Sequence, residues 1–321
     1  MKMHFILGAA ALALLPAAGL AERIYAVDEV GNLIRFDSAS PGVIESSVPL
    51  TGLELDSYRD LAALDFRPAT GRLYALVDQV SGIGIPPPGA EHCDLYLIEP
   101  ETGASFLLGI DDALTEPWVR KGFDFSPVDG EIRIVDQFGS NLRMSPQTAE
   151  VSADTPLDPY ISAVGLAFNH NLAGAISATA YALDSETYDL VRIGGLDGTP
   201  PPHGGAVTVV GPLGLAFSEF AGFDISPSGT AYAVLSPPNQ PGVPGPSQLY
   251  TLNLATGAAT LVGIVGPSPG LRTVAMAVAP AGGGQGALEV PTLGVWGLFL
   301  LAAGVGAAGM LRLRHGRPIS R

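Results

Sequence analysis

Three aspartates recur in one phrase of this chain: Leu64-Asp65-Phe66-Arg67-Pro68, Phe123-Asp124-Phe125-Ser126-Pro127 and Phe223-Asp224-Ile225-Ser226-Pro227. Carboxylates that a repeat carries to a common axis offer oxygen ligands to a hard cation such as Ca²⁺. The competing role is local. Each aspartate ties down a turn or pairs with an arginine of its own unit, Arg67, Arg72 or Arg133, and a residue that recurs with a repeat favours that structural role. Arg143, close to Asn141, is the best single candidate for an anion contact, because a guanidinium presents a planar fork suited to carboxylate or phosphate. The run His92-Cys93-Asp94 has metal-ligating residue types, but no second His/Cys pair stands at ligand spacing, which favours a structural role. His170, between Asn169 and Asn171, reads as a polar loop. No Gly-x-Ser-x-Gly, His-Glu-x-x-His, P-loop or EF-hand pattern occurs. Triad members can be far apart in a sequence, so spacing alone leaves a catalytic triad open.

The elements that must position these residues are short strands. The aspartate phrase has looser copies at Leu166-Ala167-Phe168-Asn169 and Met276-Ala277-Val278-Ala279-Pro280, giving five first strands that start near residues 61, 122, 164, 222 and 274. Second strands follow at Leu73-Tyr74-Ala75-Leu76, Ile132-Arg133-Ile134-Val135, Ala180-Tyr181-Ala182-Leu183 and Ala231-Tyr232-Ala233-Val234. Third strands read Leu95-Tyr96-Leu97-Ile98 and Leu249-Tyr250-Thr251-Leu252, and fourth strands Ser105-Phe106-Leu107-Leu108-Gly109 and Thr260-Leu261-Val262-Gly263. All are rich in β-branched, aromatic and aliphatic residues and bounded by Gly, Pro, Asp and Asn. Between third and fourth strands, Gly103 and Gly257 can take the positive φ of a tight turn.

Four strands repeated every 43 to 60 residues predict an all-β propeller. The chain opens on a second strand, Ile24-Tyr25-Ala26-Val27, and a third, Leu33-Ile34-Arg35-Phe36. It closes on an unaccompanied first strand near Thr273 to Ala279. The two incomplete pieces make one blade, so the expectation is five four-stranded blades closed by N- and C-terminal strands, with six blades as the runner-up and a β-sandwich behind both. Closure removes two sheet edges that would invite aggregation.

The ends carry an address. Residues 1–21 read as a signal peptide: Lys2 and His4, an apolar stretch from Phe5, a break at Pro16, and small residues to Ala21, with cleavage leaving Glu22 first. Residues 280–289 form a Gly-rich linker. Residues 293–311 hold no charge, and about 19 residues make roughly 28 Å of helix, enough for a hydrocarbon core. Arg312, Arg314, Arg317 and Arg321 follow and place the C-terminus on the cytoplasmic side. Setting Lys2 and these four arginines aside lowers the basic count from 16 to 11 against 31 acidic residues and takes the net charge from −15 to −20. A domain that acidic lacks the basic surface nucleic acid requires. Cys93 is the one cysteine, so an exported domain has no internal disulfide to rely on.

Two resemblances follow. Gly122-Phe123-Asp124-Phe125-Ser126-Pro127-Val128-Asp129-Gly130-Glu131-Ile132-Arg133-Ile134-Val135, then Asn141-Leu142-Arg143-Met144-Ser145-Pro146, with Asp65–Tyr74 and Leu249–Gly263, resemble the DUF4394 family, propeller-like and without an agreed activity. Ser126 stands where that family usually carries Asn, and Glu131 where an Arg is common. The tail, Val290, Pro291, Thr292, Leu293, Trp296 and Gly297, resembles the IPTL-CTERM sorting signal of Gram-negative bacteria, with Val290 in place of Ile. That resemblance implies cleavage near the motif by an exosortase-type transpeptidase, after signal peptidase has acted and while the bilayer holds residues 293–311. The functional expectation is an exported, non-enzymatic surface or matrix propeller, in the periplasm before processing and at the cell surface or outside after it. Two alternatives stand beside it: a module binding carbohydrate, such as a matrix polysaccharide, or another small ligand, and a metal-dependent hydrolase or lactonase; no cofactor is expected, with Ca²⁺ the one candidate ion.

Overall fold

The computed structural model describes residues 21–53, 55, 60–78, 93–111, 120–240 and 243–280. The expected signal peptide (1–21, all but Ala21), His92, the expected linker (280–289, all but Pro280), the stretch 290–297 read as a sorting signal and the stretch 293–311 read as a span lie outside these residues. Among the described residues no helix is long and apolar enough to cross a membrane.

The chain begins with β1 (Arg23–Asp28), β2 (Asn32–Asp37) and β3 (Ile44–Pro49). A four-stranded unit follows: β4 (Asp60–Phe66), β5 (Leu73–Asp78), β6 (Cys93–Ile98) and β7 (Ser105–Asp111). The next is β8 (Lys121–Phe125), β9 (Ile132–Asp136), β10 (Asn141–Met144) and β11 (Val151–Ala153). Then come β12 (Ala163–Phe168), β13 (Ala180–Asp184), β14 (Asp189–Ile193) and β15 (Val207–Pro212), with two short 3₁₀ turns before β15. The last full unit is β16 (Ala221–Ile225), β17 (Ala231–Leu235), a small ribbon of β18 (Pro238–Gln240) and β19 (Val243–Pro244), β20 (Gln248–Leu252) and β21 (Ala259–Ile264). The chain ends on β22 (Thr273–Val278).

These strands form five antiparallel four-stranded sheets. Four are consecutive: β4 to β7 (blade II), β8 to β11 (III), β12 to β15 (IV) and β16-β17-β20-β21 (V). Blade I is composite, in the order β22-β1-β2-β3. There β22 pairs with β1 in the register Ile24↔Val278, Tyr25↔Ala277 and Ala26↔Met276. The ring is therefore a five-bladed propeller sealed by its two ends, and the innermost strands β4, β8, β12, β16 and β22 pack side by side around the axis.

Packing explains the burial gradient. The inner strands are buried along nearly their whole length, whereas the outer strands β3, β7 and β21 alternate between half-buried and exposed. The apolar cores lie between blades. One joins blades IV and V through Tyr181, Leu183, Phe223 and Tyr250, and another joins I and II through Tyr25, Leu33, Phe66 and Tyr96. At the rim each third-to-fourth-strand turn leans on the preceding blade. A Cβ on Gly103 would stand 2.3 Å from Pro49 O, and one on Gly257 2.1 Å from Gly211 O. Both residues have positive φ, +73° and +81°, so glycine meets the turn and the close approach together.

Candidate functional site

The ring axis is nearly solid. The space between the inner strands amounts to about 20 Å³, lined by Ala63, Leu64, Phe123, Gly165, Leu166, Gly222 and their neighbours. Small residues hold one position on all five inner strands: Ala63, Gly122, Gly165, Gly222 and Ala275. The neighbouring strand fills the space a side chain would need there.

Past this layer the structure brings Asp65, Asp124 and Asp224 together, all buried. Each inner strand ends with one backbone N–H at the equivalent place: Phe66, Phe125, Phe168, Ile225 and Val278. Three carboxyls serve all five. Asp65 accepts from Phe66 at 2.6 Å and from Phe125 of the next blade at 3.0 Å. Asp124 accepts from Phe168 of its next blade at 2.5 Å. Asp224 accepts from Val278 of blade I at 2.6 Å and from the N–H of Ile225. Blades IV and I, which carry Ala167 and Ala277 instead, need no carboxyl of their own because Asp124 accepts from Phe168 and Asp224 from Val278. Asn171 completes the group, donating from Nδ2 to Ile225 O at 3.1 Å and to Asp224 Oδ1 at 3.4 Å.

Burial pushes the Asp65 carboxyl up to about 6, although hydrogen bonds from Asp124, Phe125 and Phe66 oppose the shift. Burial also raises Asp124 well above the ordinary range, and the nearby Asp65 charge adds to it. Asp224 is raised by burial first and then by Asp65. The Asp65 and Asp124 carboxyls act on each other's protonation, so the pair titrates as a unit. The expected partnership with an arginine of the same blade does not form. Asp124 and Arg133 are opposite in register, yet the carboxyl serves Phe168 while the guanidinium bonds Asn141 and Asp154. Among the described residues no three His, Cys, Asp or Glu side chains are grouped to hold a metal ion.

At the other end of the inner strands, Lys121 Nζ meets Asp78 Oδ2 at 3.0 Å, both side chains 1% exposed. Arg120 lies over the Phe220 ring, 4.6 Å from its centroid. Cys93 opens β6 fully buried, with burial pushing its thiol up and away from reactivity.

A second constellation lies on the seam between blades III and IV. A cleft of about 260 Å³ is lined by Arg133, Arg143, Phe168, Ser177, Asp197 and His203, with Asp129 and Val128 at its rim. Arg133 and Arg143 face each other across β9 and β10. Asp154 lies between them, 3.1 Å from Arg133 Nη1 and 2.9 Å from Arg143 Nη2. Arg133 Nη1 also donates to Asn141 Oδ1 at 2.6 Å. Asn141 in turn donates to Thr155 O and Pro202 O, both at 3.0 Å. Burial lowers the Arg133 pKa against the opposing pull of Asp154. Arg143, half-exposed, is raised by its bond to Asp154.

The family of domains of unknown function DUF4394 matches residues 32–275. The chain belongs to the DUF4394 family. No curated protein matches it. Among solved structures, the DUF4394 ring is similar to a GH74 enzyme from Niastella koreensis, at 15% identity over 75% of this chain and 35% of that one, TM-score 0.45. It is also similar to a protein of unknown function from Bacteroides thetaiotaomicron, at 14% identity over 75% of this chain and 57% of that one, TM-score 0.45. The chain thus spans about a third of the first and little more than half of the second.

Sequence reasoning singled out Asp65, Asp124, Asn141, Arg143 and Asp224. The structure sorts them into two places: the aspartates on the axis, Asn141 and Arg143 at the seam. Arg133, Asp154 and Asn171 escaped it as site residues. A signal for Arg133 and Asn141 was present in the repeat. The residue equivalent to Arg133 is tyrosine in the other four blades (Tyr25, Tyr74, Tyr181 and Tyr232), and the residue equivalent to Asn141 is leucine (Leu33, Leu95, Leu190 and Leu249).

Proposed function

We propose that this DUF4394 chain is an exported, non-enzymatic display ring. Its signal peptide is removed after Ala21, and residues 290–321 are the handle by which a sorting enzyme anchors, transfers or releases it. The observation that supports this reading is where the ring closes. β22 completes blade I against β1, and Ala279 N–H donates to Arg23 O at 2.9 Å. Every blade is therefore complete before the linker and motif begin, so cutting near Thr292 costs the fold nothing. Glu22 is equally well placed to become the first residue, its backbone N–H donating to Ser38 Oγ at 2.9 Å.

The hydrolase alternative is weaker on physical grounds. A Ca²⁺ ion on the axis would compete with the backbone N–H groups that Asp65 and Asp224 accept from, each costing about 1–3 kcal/mol if left unpaired. Mass spectrometry of the mature protein from its host tests the main reading. The expected result is an N-terminus at Glu22 and a C-terminus near Thr292. A chain still ending at Arg321 rejects sorting, and turnover of an ester or lactone that is abolished by Asp124→Asn rejects the non-enzymatic role.

A further inference from the structure

The five blades are internal controls for one another, and blade III is the exception. Four blades place a buried Tyr on the second strand and a buried Leu on the third, whereas blade III places Arg133 and Asn141 there. Both replacements exchange a neutral residue for a strongly polar one at a buried site, which costs stability unless something is gained. In blades I and IV a Tyr faces an Arg across the strands, Tyr25 with Arg35 and Tyr181 with Arg192. In blade III, Arg133 faces Arg143. Like charges directly opposite on neighbouring strands repel; here Asp154 bridges both guanidiniums, and Asp129 also acts on both. Arg133 is 5% exposed, and among the described residues its Nε has no hydrogen-bond partner. The Arg133 and Arg143 guanidiniums line one wall of the cleft, where a pair of charged donors favours an anionic oxygen.

The rest of the cleft defines what carries that oxygen. Asp129 and Asp197 stand at the rim, exposed, with Ser177 and His203 also on the lining. An anion with nothing else to offer would meet those carboxylates unfavourably, whereas hydroxyl groups would donate to them. Phe168, Val128 and Pro202 supply apolar wall. About 260 Å³ is room for one small molecule, just below the usual range of ligand pockets.

We propose that the seam between blades III and IV binds a single acidic sugar unit, its carboxylate on Arg133 and Arg143 and its hydroxyls toward Asp129 and Asp197. The site is a binding site without a chemical step. It goes beyond the display role and stands or fails apart from it, since chain processing and ligand binding are read by different measurements.

Calorimetric titration of the full chain in detergent, with glucuronate as the probe and glucose and acetate as comparisons, tests it. Saturable glucuronate binding is expected with a Kd no weaker than about 1 mM, and at least about tenfold tighter than either comparison, because one lacks the carboxylate and the other the hydroxyls. Arg143→Gln removes a half-exposed guanidinium from the cleft and leaves Asp154 wholly to Arg133. It should weaken glucuronate about tenfold with an unchanged melting curve. The double variant Arg133→Tyr/Asn141→Leu gives blade III the residues of the other four and should abolish binding, at some cost in melting temperature because Thr155 O and Pro202 O lose the Asn141 amide. Absence of saturable glucuronate binding overturns the proposal. So does equal affinity for acetate or glucose, or full affinity in Arg143→Gln, and that last outcome decides the matter even if the double variant unfolds.

Discussion

A Gly222→Val chain is expected to lose about 3 kcal/mol of stability or more, and to be the most damaged of single substitutions on the axis. A Cβ at Gly222 would stand 2.4 Å from Met276 Cγ and 2.8 Å from Met276 N. The Met276 side chain can swing aside, but its backbone cannot, because β22 is fixed by β1 on one side and by the ring on the other. Equivalent approaches occur from Gly122 to Gly165 C, at 2.8 Å, and from Gly165 to Phe223 Cβ, at 2.9 Å. Ala63 and Ala275 complete the layer, so there is no empty sector into which the strain could relax. Valine adds two methyls beyond the Cβ that already does not fit. Urea unfolding followed by far-UV circular dichroism checks this: the midpoint should fall sharply, with an m-value typical of the parent if the variant still closes. A midpoint within error of the parent shows that the axis is looser than these distances require.

The same layer shows how far the sequence alone could reach. First strands expected near residues 61, 122, 164, 222 and 274 begin at Asp60, Lys121, Ala163, Ala221 and Thr273. The repeat fixes these because the inner strand is buried on both faces and its sequence is constrained at every residue. Five blades and the composite closure follow from counting incomplete units. The convergence of Asp65, Asp124 and Asp224 was legible for the same reason. What they hold was not, because a carboxyl that accepts the N–H of the next blade depends on ring geometry, which no local pattern encodes. Asn171 illustrates this. In the sequence it is a polar loop residue beside His170, yet in the ring it is buried and bonded to Ile225 of the next blade. The blade III seam lay between these extremes. Arg143 and Asn141 drew attention singly, but the sharper signal, Arg in a column of Tyr and Asn in a column of Leu, needs the strands aligned in register first.

The axial carboxyls have a consequence that runs against ordinary acid denaturation. Asp124→Ala should cost about 3 kcal/mol near neutral pH, since it leaves the buried Phe168 N–H without an acceptor and removes the hydrogen bond to Asp65. Asp124→Asn should cost little or stabilise, because an amide still accepts from Phe168 through its oxygen and donates to Asp65 through its nitrogen without adding charge. The pH dependence has a definite sign. Asp65 binds its proton up to about 6 in the folded ring against 3.8 for the ordinary side chain. Between those values the folded state holds more protons than the unfolded, so stability falls as pH rises and the contribution is gone above the folded value. The shift corresponds to about 3 kcal/mol, fully present below about pH 4. Asp124 and Asp224 are shifted in the same direction, and their loss opens from the same acidic side. Repulsion among surface carboxylates also weakens the ring as pH rises, so the comparison must be internal: unfolding free energies of parent and Asp124→Asn, measured side by side from about pH 4 to about pH 7. The parent should lose stability relative to Asp124→Asn across that interval. A parent that gains on the variant as pH rises would mean that the carboxyls are ionised and stabilised by that charge, and equal stabilities for Asp124→Ala and Asp124→Asn would mean that Phe168 has no need of the oxygen.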